Sequence, residues 1–397
     1  LALAYGGATG HLAIIARSRG LPALVAVGGG LLDLDNGRTV LLDADNGRLL
    51  ADPDSAQIEA ARSLLRKREA NRVARLASAA QPAHTLDGVE IEVAGNIADR
   101  EEAEIALHNG ADGIGLLRSE FLFMERDQRP SAAEQQTAYQ AILDTMAGRP
   151  TTIRTIDIGA DKPVSYLTLA KEDNPALGVR GIRLSLADDA LFDDQFGALL
   201  SLTPLTKLRL MVPMVAEVSE VVRVKARIDQ LAEQLGLKER PQFGVMIEVP
   251  SAALMAEQIA QYVDFFSVGT NDLTQYTLAM DRCNPDMAAR LDQLHPAVLR
   301  LLAMTVEGAR KHGKWVGVCG GAAGDRQAIP LLLGLGVSEL SVAPPMVAEV
   351  KELVRSLDRE HCAAAMAGIL QLESAAAVRA EVLRRWPQCG RHGNGEE

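Results

Sequence analysis

Along residues 89–343, short apolar runs alternate with longer stretches in which apolar side chains recur every three or four positions. The first pattern suits buried strands and the second amphipathic helices, so their alternation is the rhythm of a βα-repeating sheet. Eight strands are predicted, at 89–95, 113–117, 151–157, 208–214, 243–249, 264–269, 315–319 and 338–343. They occupy about 250 residues, the usual extent of an α/β fold of the (β/α)8 TIM-barrel type. An open doubly wound sheet shares the alternation, which by itself does not show closure. A ninth apolar run at 181–186 is read as a helix, because Arg180 and Arg183 stand three apart and would then share one face.

Upstream the pattern changes. Between residues 54 and 79, Ile58, Ala61, Leu64, Leu65, Val73 and Leu76 recur at helical spacing among Arg and Glu residues. This predicts one amphipathic helix of about 39 Å, at ~1.5 Å per residue, ended by Gln81-Pro82. Residues 5–50 hold short apolar runs broken by glycines and by the Asn-Gly pairs Asn36-Gly37 and Asn46-Gly47, which signal turns or hairpins in a small unit. The expected organisation is a partial small domain at 1–52, a linker helix at 53–80, and a barrel with a helical tail at 81–397. Because the chain opens with Leu1 rather than an initiator methionine, residues 1–4 read as the end of a strand whose sheet partners lie upstream.

Composition narrows the function classes. Of 397 residues 48% are hydrophobic and 23% charged, ordinary for a globular protein, and no apolar run is long enough to span a bilayer. A net charge of −11 argues against a nucleic-acid partner, so an anionic substrate must meet a local cationic pocket. Cys283, Cys319, Cys362 and Cys389 form no CxxC pair, which argues against a zinc site or a disulfide framework and suits a reducing cytoplasm. The opening residues lack the basic start of a signal peptide.

In barrels of this kind, chemistry sits at the C-terminal ends of the strands. The second predicted strand ends in Arg118-Ser119-Glu120, the third contains Arg154 and Asp157, the fifth ends in Glu248, the sixth runs into Asn271-Asp272, and the seventh ends in Cys319. A single Arg or Glu at such a place is ordinarily a solvated or ion-paired rim residue. Jointly, Arg118, Arg154, Arg180 or Arg183, and Arg282 surround one anion with planar guanidinium groups, which suits phosphate plus carboxylate. Glu248 and Asp272 are hard oxygen ligands on neighbouring strands, suited to Mg²⁺. Cys319 is either a small core hydrophobe or a proton donor to carbon, and the second role requires its thiol to lie beside the substrate.

Near the start, Gly6 to Arg17 read as a glycine turn, a Thr9 cap and a helix with His11 in its first turn, ended by Gly20 and Pro22. A helix N-terminus keeps an imidazole neutral and nucleophilic and favours a dianionic product, two conditions that a phosphohistidine meets. His295, before Pro296 at the barrel rim, has no assigned role.

These residues lie within a series of ordered strings: GGATGHLAIIAR at 6–17, GADGIGLLRSEFLFM at 110–124, RTIDIGADKP at 154–163, NPALGVRGIRLSL at 174–186, VMIEVPSAA at 245–253, DFFSVGTNDLTQYTLAMDR at 264–282 and GVCGGAAGD at 317–325. Across nearly its whole length the chain resembles the phosphoenolpyruvate-utilising enzymes, most closely the phosphoenolpyruvate-protein phosphotransferases, the Enzyme I group of the bacterial sugar phosphotransferase system. The resemblance implies that His11 is phosphorylated, that Arg118, Arg154 and Arg282 clamp phosphoenolpyruvate, and that Glu248 and Asp272 hold Mg²⁺. It further implies that Asn271 contacts the phosphate and Cys319 protonates the enolate. The implied chain of events is phosphoryl transfer to His11, pyruvate release and relay to the carrier HPr, by a homodimer joined through the barrel.

Two departures from the family pattern stand out: Gly10 where a Ser usually precedes the histidine, and Gly321 where a Glu commonly follows Gly320. The helical subdomain that docks HPr ahead of the histidine is not in this sequence, so the chain reads as the phosphoenolpyruvate-binding part of a longer protein, such as a fused multiphosphoryl transfer protein. A fragment of a pyruvate phosphate dikinase or phosphoenolpyruvate synthase is the nearest alternative. A non-catalytic phosphoenolpyruvate-binding and dimerising module is another.

Overall fold

The structure, a computed structural model, describes residues 1–390 except 7–11, 13–15, 17–19, 45, 125, 160–163, 165, 168–171 and 289. Its centre is a closed barrel of eight parallel strands. They are β4 (Glu90–Ile97), β5 (Ile114–Arg118), β6 (Thr151–Arg154), β7 (Leu208–Val212), β8 (Gln242–Ile247), β9 (Phe265–Val268), β10 (Trp315–Val318) and β11 (Glu339–Val342). Each pairs with the next, and β11 returns to β4 with Glu339 opposite Glu92 and Val342 opposite Gly95, which excludes the open sheet. All eight predicted strands are present. Their apolar runs are buried on both faces, as parallel strands covered by helices must be.

The run at 181–186 is helical, over Ile182–Ala187, but Arg180 precedes the helix and Gly181 caps it. The expectation that Arg180 and Arg183 share a helix face is therefore corrected: the backbone turns between them, and they point to different partners.

A short strand, β3 (Ala83–His84), pairs antiparallel with β4. Before it, the helix Ser55–Ala79 begins at a capping box in which Asp54 accepts from the Gln57 amide and Gln57 accepts from the Asp54 amide. The amphipathic reading of this helix is corrected. Leu64, Leu65 and Val73 are exposed, and Ala79 at the C-terminal end is its one buried residue. Its apolar stripe meets the barrel only in the last turn. There the helix Val347–Arg355 supplies cations to the unpaired carbonyls: Lys351 donates to Ala79 O at 3.0 Å and Arg355 to Ser78 O at 3.0 Å. The hairpin β1 (Val40–Asp43) and β2 (Arg48–Ala51) turns at the predicted Asn46-Gly47, and Ala2 bridges Leu24 in parallel. No helix among the described residues is long and apolar enough to cross a membrane.

Candidate active site

Each candidate residue at the barrel rim is carried there by the end of a strand. Arg118 closes β5 and Arg154 closes β6, in direct register across the two strands. Glu248 follows β8, Cys319 follows β10, and Asn271 and Asp272 lie in the first turn of the helix Thr270–Leu278 that follows β9.

A chain of alternating charges crosses this mouth. Arg154 Nη2 lies 2.6 Å from Glu120 Oε1, and its Nη1 lies 3.1 Å from Asp157 Oδ2. Arg180 grips the same Asp157 through Nε at 3.1 Å and Nη2 at 2.8 Å. Its Nη1 then stands 3.7 Å from Asp272 Oδ1, and Arg282 Nη2 lies 3.3 Å from that oxygen. Arg154, Asp157 and Arg180 are buried, where an unpaired charge would be costly and a paired one is tolerated. Burial acts to lower the Arg154 and Arg180 pKa values, but the surrounding carboxylates outweigh it and hold both above the ordinary arginine value.

Arg180 reaches inward because Gly181 adopts φ +56, and a Cβ there would approach the Met214 side chain to 2.8 Å. Met214 is itself in the left-handed region, at φ +61, and from it its amide donates to Glu248 Oε1 at 2.7 Å. Tyr276 holds the loop on the other side: its hydroxyl donates to Ala176 O and accepts from Arg180 Nη1.

Two features mark the mouth as built for a ligand. The Nε groups of Arg118 and Arg154 are buried and lack hydrogen-bond partners among the described residues, a cost of about 1–3 kcal/mol for each donor left unmade. Burial, and then the charges of Asp272 and Asp157, push the Glu248 acid up to about 8. A divalent cation would relieve that repulsion, and Asp272 Oδ1 accepts no hydrogen bond from the described residues. The described residues contain no cluster of three or more His, Cys, Asp or Glu side chains able to hold a metal. Two carboxylates nevertheless fit Mg²⁺, which completes its shell with substrate oxygens and water.

Arg183 stands apart from this group, its Nη1 donating to the carbonyls of Leu177 and Gly178 at 3.1 Å each. Cys319 lies inside the barrel, 5% exposed, in a cluster with Leu116, Met211, Met246 and Phe265. Met246 borders the charges, its Sδ 3.7 Å from Arg154 Nη1, and the charges of Arg154 and Glu248 act on the Cys319 thiol. Burial pushes the Cys319 thiol up to about 12, so it keeps its proton at neutral pH. His295 caps the helix Pro296–Lys311, accepting from the Ala297 amide. His11, Thr9, Gly10 and Arg17 lie outside the described residues.

Glu120, Asp157, Tyr276 and Gln293 received no role from the sequence. The first two were visible as acids beside Arg118 and Arg154, but nothing in the spacing says which arginine each one pairs with.

Residues 73–359 match the family described as PEP-utilising enzyme, PEP-binding domain, and residues 1–47 match PEP-utilising enzyme, mobile domain. The chain belongs to the PEP-utilising enzymes. Over 381 residues it is 45% identical to a multiphosphoryl transfer protein of Xanthomonas campestris, a match covering 96% of this chain and 45% of that one. It is 41% identical over 380 residues to a phosphoenolpyruvate-protein phosphotransferase of Haemophilus influenzae, covering 94% of this chain and 66% of that one. A Bacillus subtilis protein of the same name is 38% identical over 382 residues, covering 95% and 67%. The chain thus spans less than half the length of the multiphosphoryl transfer protein and about two thirds of the phosphotransferases. Among PEP-utilising enzymes, both the barrel and the mobile-domain match are therefore represented here.

Proposed function

We propose that this PEP-utilising enzyme moves the phosphoryl group of phosphoenolpyruvate to His11 and releases pyruvate, as the first step of a relay to HPr or a fused HPr-like domain. The observation that carries the reading is the pair of guanidinium Nε donors, without partners among the described residues, at the register-matched ends of β5 and β6, on the mouth that also holds Glu248 and Asp272. The names of the relatives support the same substrate. Residues 1–52 are then part of the swivelling phosphohistidine domain, 53–80 its linker, and two barrels pair as a homodimer in the cytoplasm.

Arg118, Arg154 and Arg282 bind the phosphate and carboxylate of the substrate, and Asn271 donates to a phosphoryl oxygen. Arg180 orients this set through Asp157 and Asp272 rather than touching substrate. Glu248 and Asp272 would hold Mg²⁺, which when bound supplies positive charge to the transferring group. The imidazole of His11 forms the new N–P bond as the P–O bond of the donor breaks. The electron pair left on the enolate is quenched at carbon by the Cys319 proton, which solvent later returns to the thiolate.

A rapid-mixing assay with phosphoenolpyruvate and Mg²⁺ tests this reading: one pyruvate is released per chain, without ATP or inorganic phosphate. A requirement for either nucleotide or phosphate favours a dikinase or synthase fragment. Calorimetric binding without pyruvate leaves only a binding module.

A further inference from the structure

Gln293 holds the segment that delivers Asn271. Its Nε2 donates to Asn271 Oδ1 at 3.0 Å, and its Oε1 accepts from the Thr270 hydroxyl. The loop after Cys319 joins the same knot. The Gly321 amide donates to Asn271 Oδ1 at 3.0 Å, and the Ala322 amide to Thr270 Oγ1 at 3.3 Å. Asn271 Oδ1 is thus held by two donors, and Asn271 itself is exposed.

The neighbouring backbone is also fixed. Arg379, on the tail helix Ala375–Arg385, grips Asp292 at 2.6 and 2.9 Å and reaches Asp325 at 2.9 Å. One arginine therefore ties the segment bearing Gln293 to the end of the Cys319 loop.

Gly321 is where this chain departs from the family pattern. A Cβ at that position would lie 2.6 Å from Gln293 Nε2 and 3.1 Å from Asn271 Oδ1. The space that a side chain at position 321 would enter is here occupied by Gln293.

We propose that Gln293 is a positioning residue, which with the bare Gly321 backbone sets the Asn271 carboxamide so that its NH₂ group meets the transferring phosphoryl group. The effect on turnover rests on the phosphotransfer reading; the effect on geometry does not. An orienting bond of this kind acts on the transition state more than on ground-state binding.

The test compares Gln293→Ala, Gln293→Glu, Gly321→Ala and the Gln293→Ala/Gly321→Ala double variant in single turnover with phosphoenolpyruvate and Mg²⁺. Gln293→Ala should lower the saturated rate by about 3- to 10-fold, the size of one neutral hydrogen bond. The half-saturating phosphoenolpyruvate concentration should stay within about 2-fold, because the clamp is untouched. Gln293→Glu keeps an acceptor for Thr270 but offers Asn271 no donor, so it should fall as far. Gly321→Ala should fall too by displacing the amide, and adding it to Gln293→Ala should cost little more.

A crystal structure of Gln293→Ala reads the geometry without turnover, and Asn271 should occupy more than one rotamer. Asn271 unmoved in that structure, or a wild-type rate in Gln293→Ala, overturns the proposal. A wild-type chain that leaves phosphoenolpyruvate intact while Asn271 is displaced in the variant overturns the phosphotransfer reading and upholds the positioning.

Discussion

Arg180 holds Asp157 through two hydrogen bonds of 3.1 and 2.8 Å, both side chains only 2% exposed. An arginine so committed is part of the wall of the site. Its charge is already answered by protein, whereas Arg118 has no carboxylate partner among the described residues and its buried Nε lacks a hydrogen bond there.

Asp157→Asn should therefore act first on the fold of the mouth. It leaves Arg180 buried with its main carboxylate gone and Arg154 with one fewer partner, a change that typically costs about 3–5 kcal/mol. Urea denaturation at neutral pH measures it, and a midpoint equal to that of the wild type contradicts the account.

On the proposed reading, Arg118 contacts substrate and Arg183 supports a loop. Arg118→Ala removes a charge-assisted donor worth about 1.5–3 kcal/mol, so phosphoenolpyruvate affinity by calorimetry should fall roughly 10- to 150-fold. Arg183 spends its donors on the Leu177 and Gly178 carbonyls, and Arg183→Ala should change affinity by less than about 3-fold. Equal losses in the two variants would contradict this division.

The opposite mouth of the barrel carries its own ionic plug. Arg209 Nη1 lies 2.9 Å from Glu92 and 2.8 Å from Glu339, with its guanidinium 4.6 Å from the centre of the Trp315 ring. Burial, then the charge of Glu92, pushes the Glu339 acid from 4.5 up to about 8. The folded chain thus keeps a proton that the unfolded chain gives up near the ordinary value. The stability this group contributes is fully present below that ordinary value and is lost as pH rises through about 8. Between about pH 5 and pH 8, the wild type should lose stability relative to Glu339→Gln by up to about 1.4 kcal/mol per pH unit. Parallel stability curves for the two proteins would contradict the linkage.

Lys351 is the pin of the long helix. Its ammonium is fully buried, 2.6 Å from Asp112 and in contact with the carbonyls of Ala79 and Gln81, and burial lowers its pKa against the opposing pull of Asp112. Lys351→Met strands those acceptors, costing about 1–3 kcal/mol. Limited proteolysis should then cut near residues 72–82 faster than in the wild type; an unchanged cleavage pattern would place the anchor elsewhere.

The barrel was legible because a strand covered on both faces must be apolar along its length, and eight such runs stand out between helical patterns. The rim arginines were legible because they interrupt those runs at strand ends. Pairing was not. Arg209 meets Glu339 across 130 residues, and no local spacing announces it. The helix Ser55–Ala79 misled in the other direction: its Leu64, Leu65 and Val73 have helical spacing, yet among the described residues the barrel supplies no surface for them. Cys319 was recognised as a strand end, but whether it faces the interior depends on the register of β10 between β9 and β11, which only the closed sheet fixes. Gln293 was missed because its importance lies in the glycine opposite.

The most direct measurement is to incubate the chain with phosphoenolpyruvate carrying labelled phosphate, with Mg²⁺ present, and to map the modified residue. Acid-labile label on His11, lost in His11→Ala and strongly reduced in Arg118→Ala, is the predicted result. Label on another residue, or consumption of phosphoenolpyruvate with no label on the chain, would contradict the account.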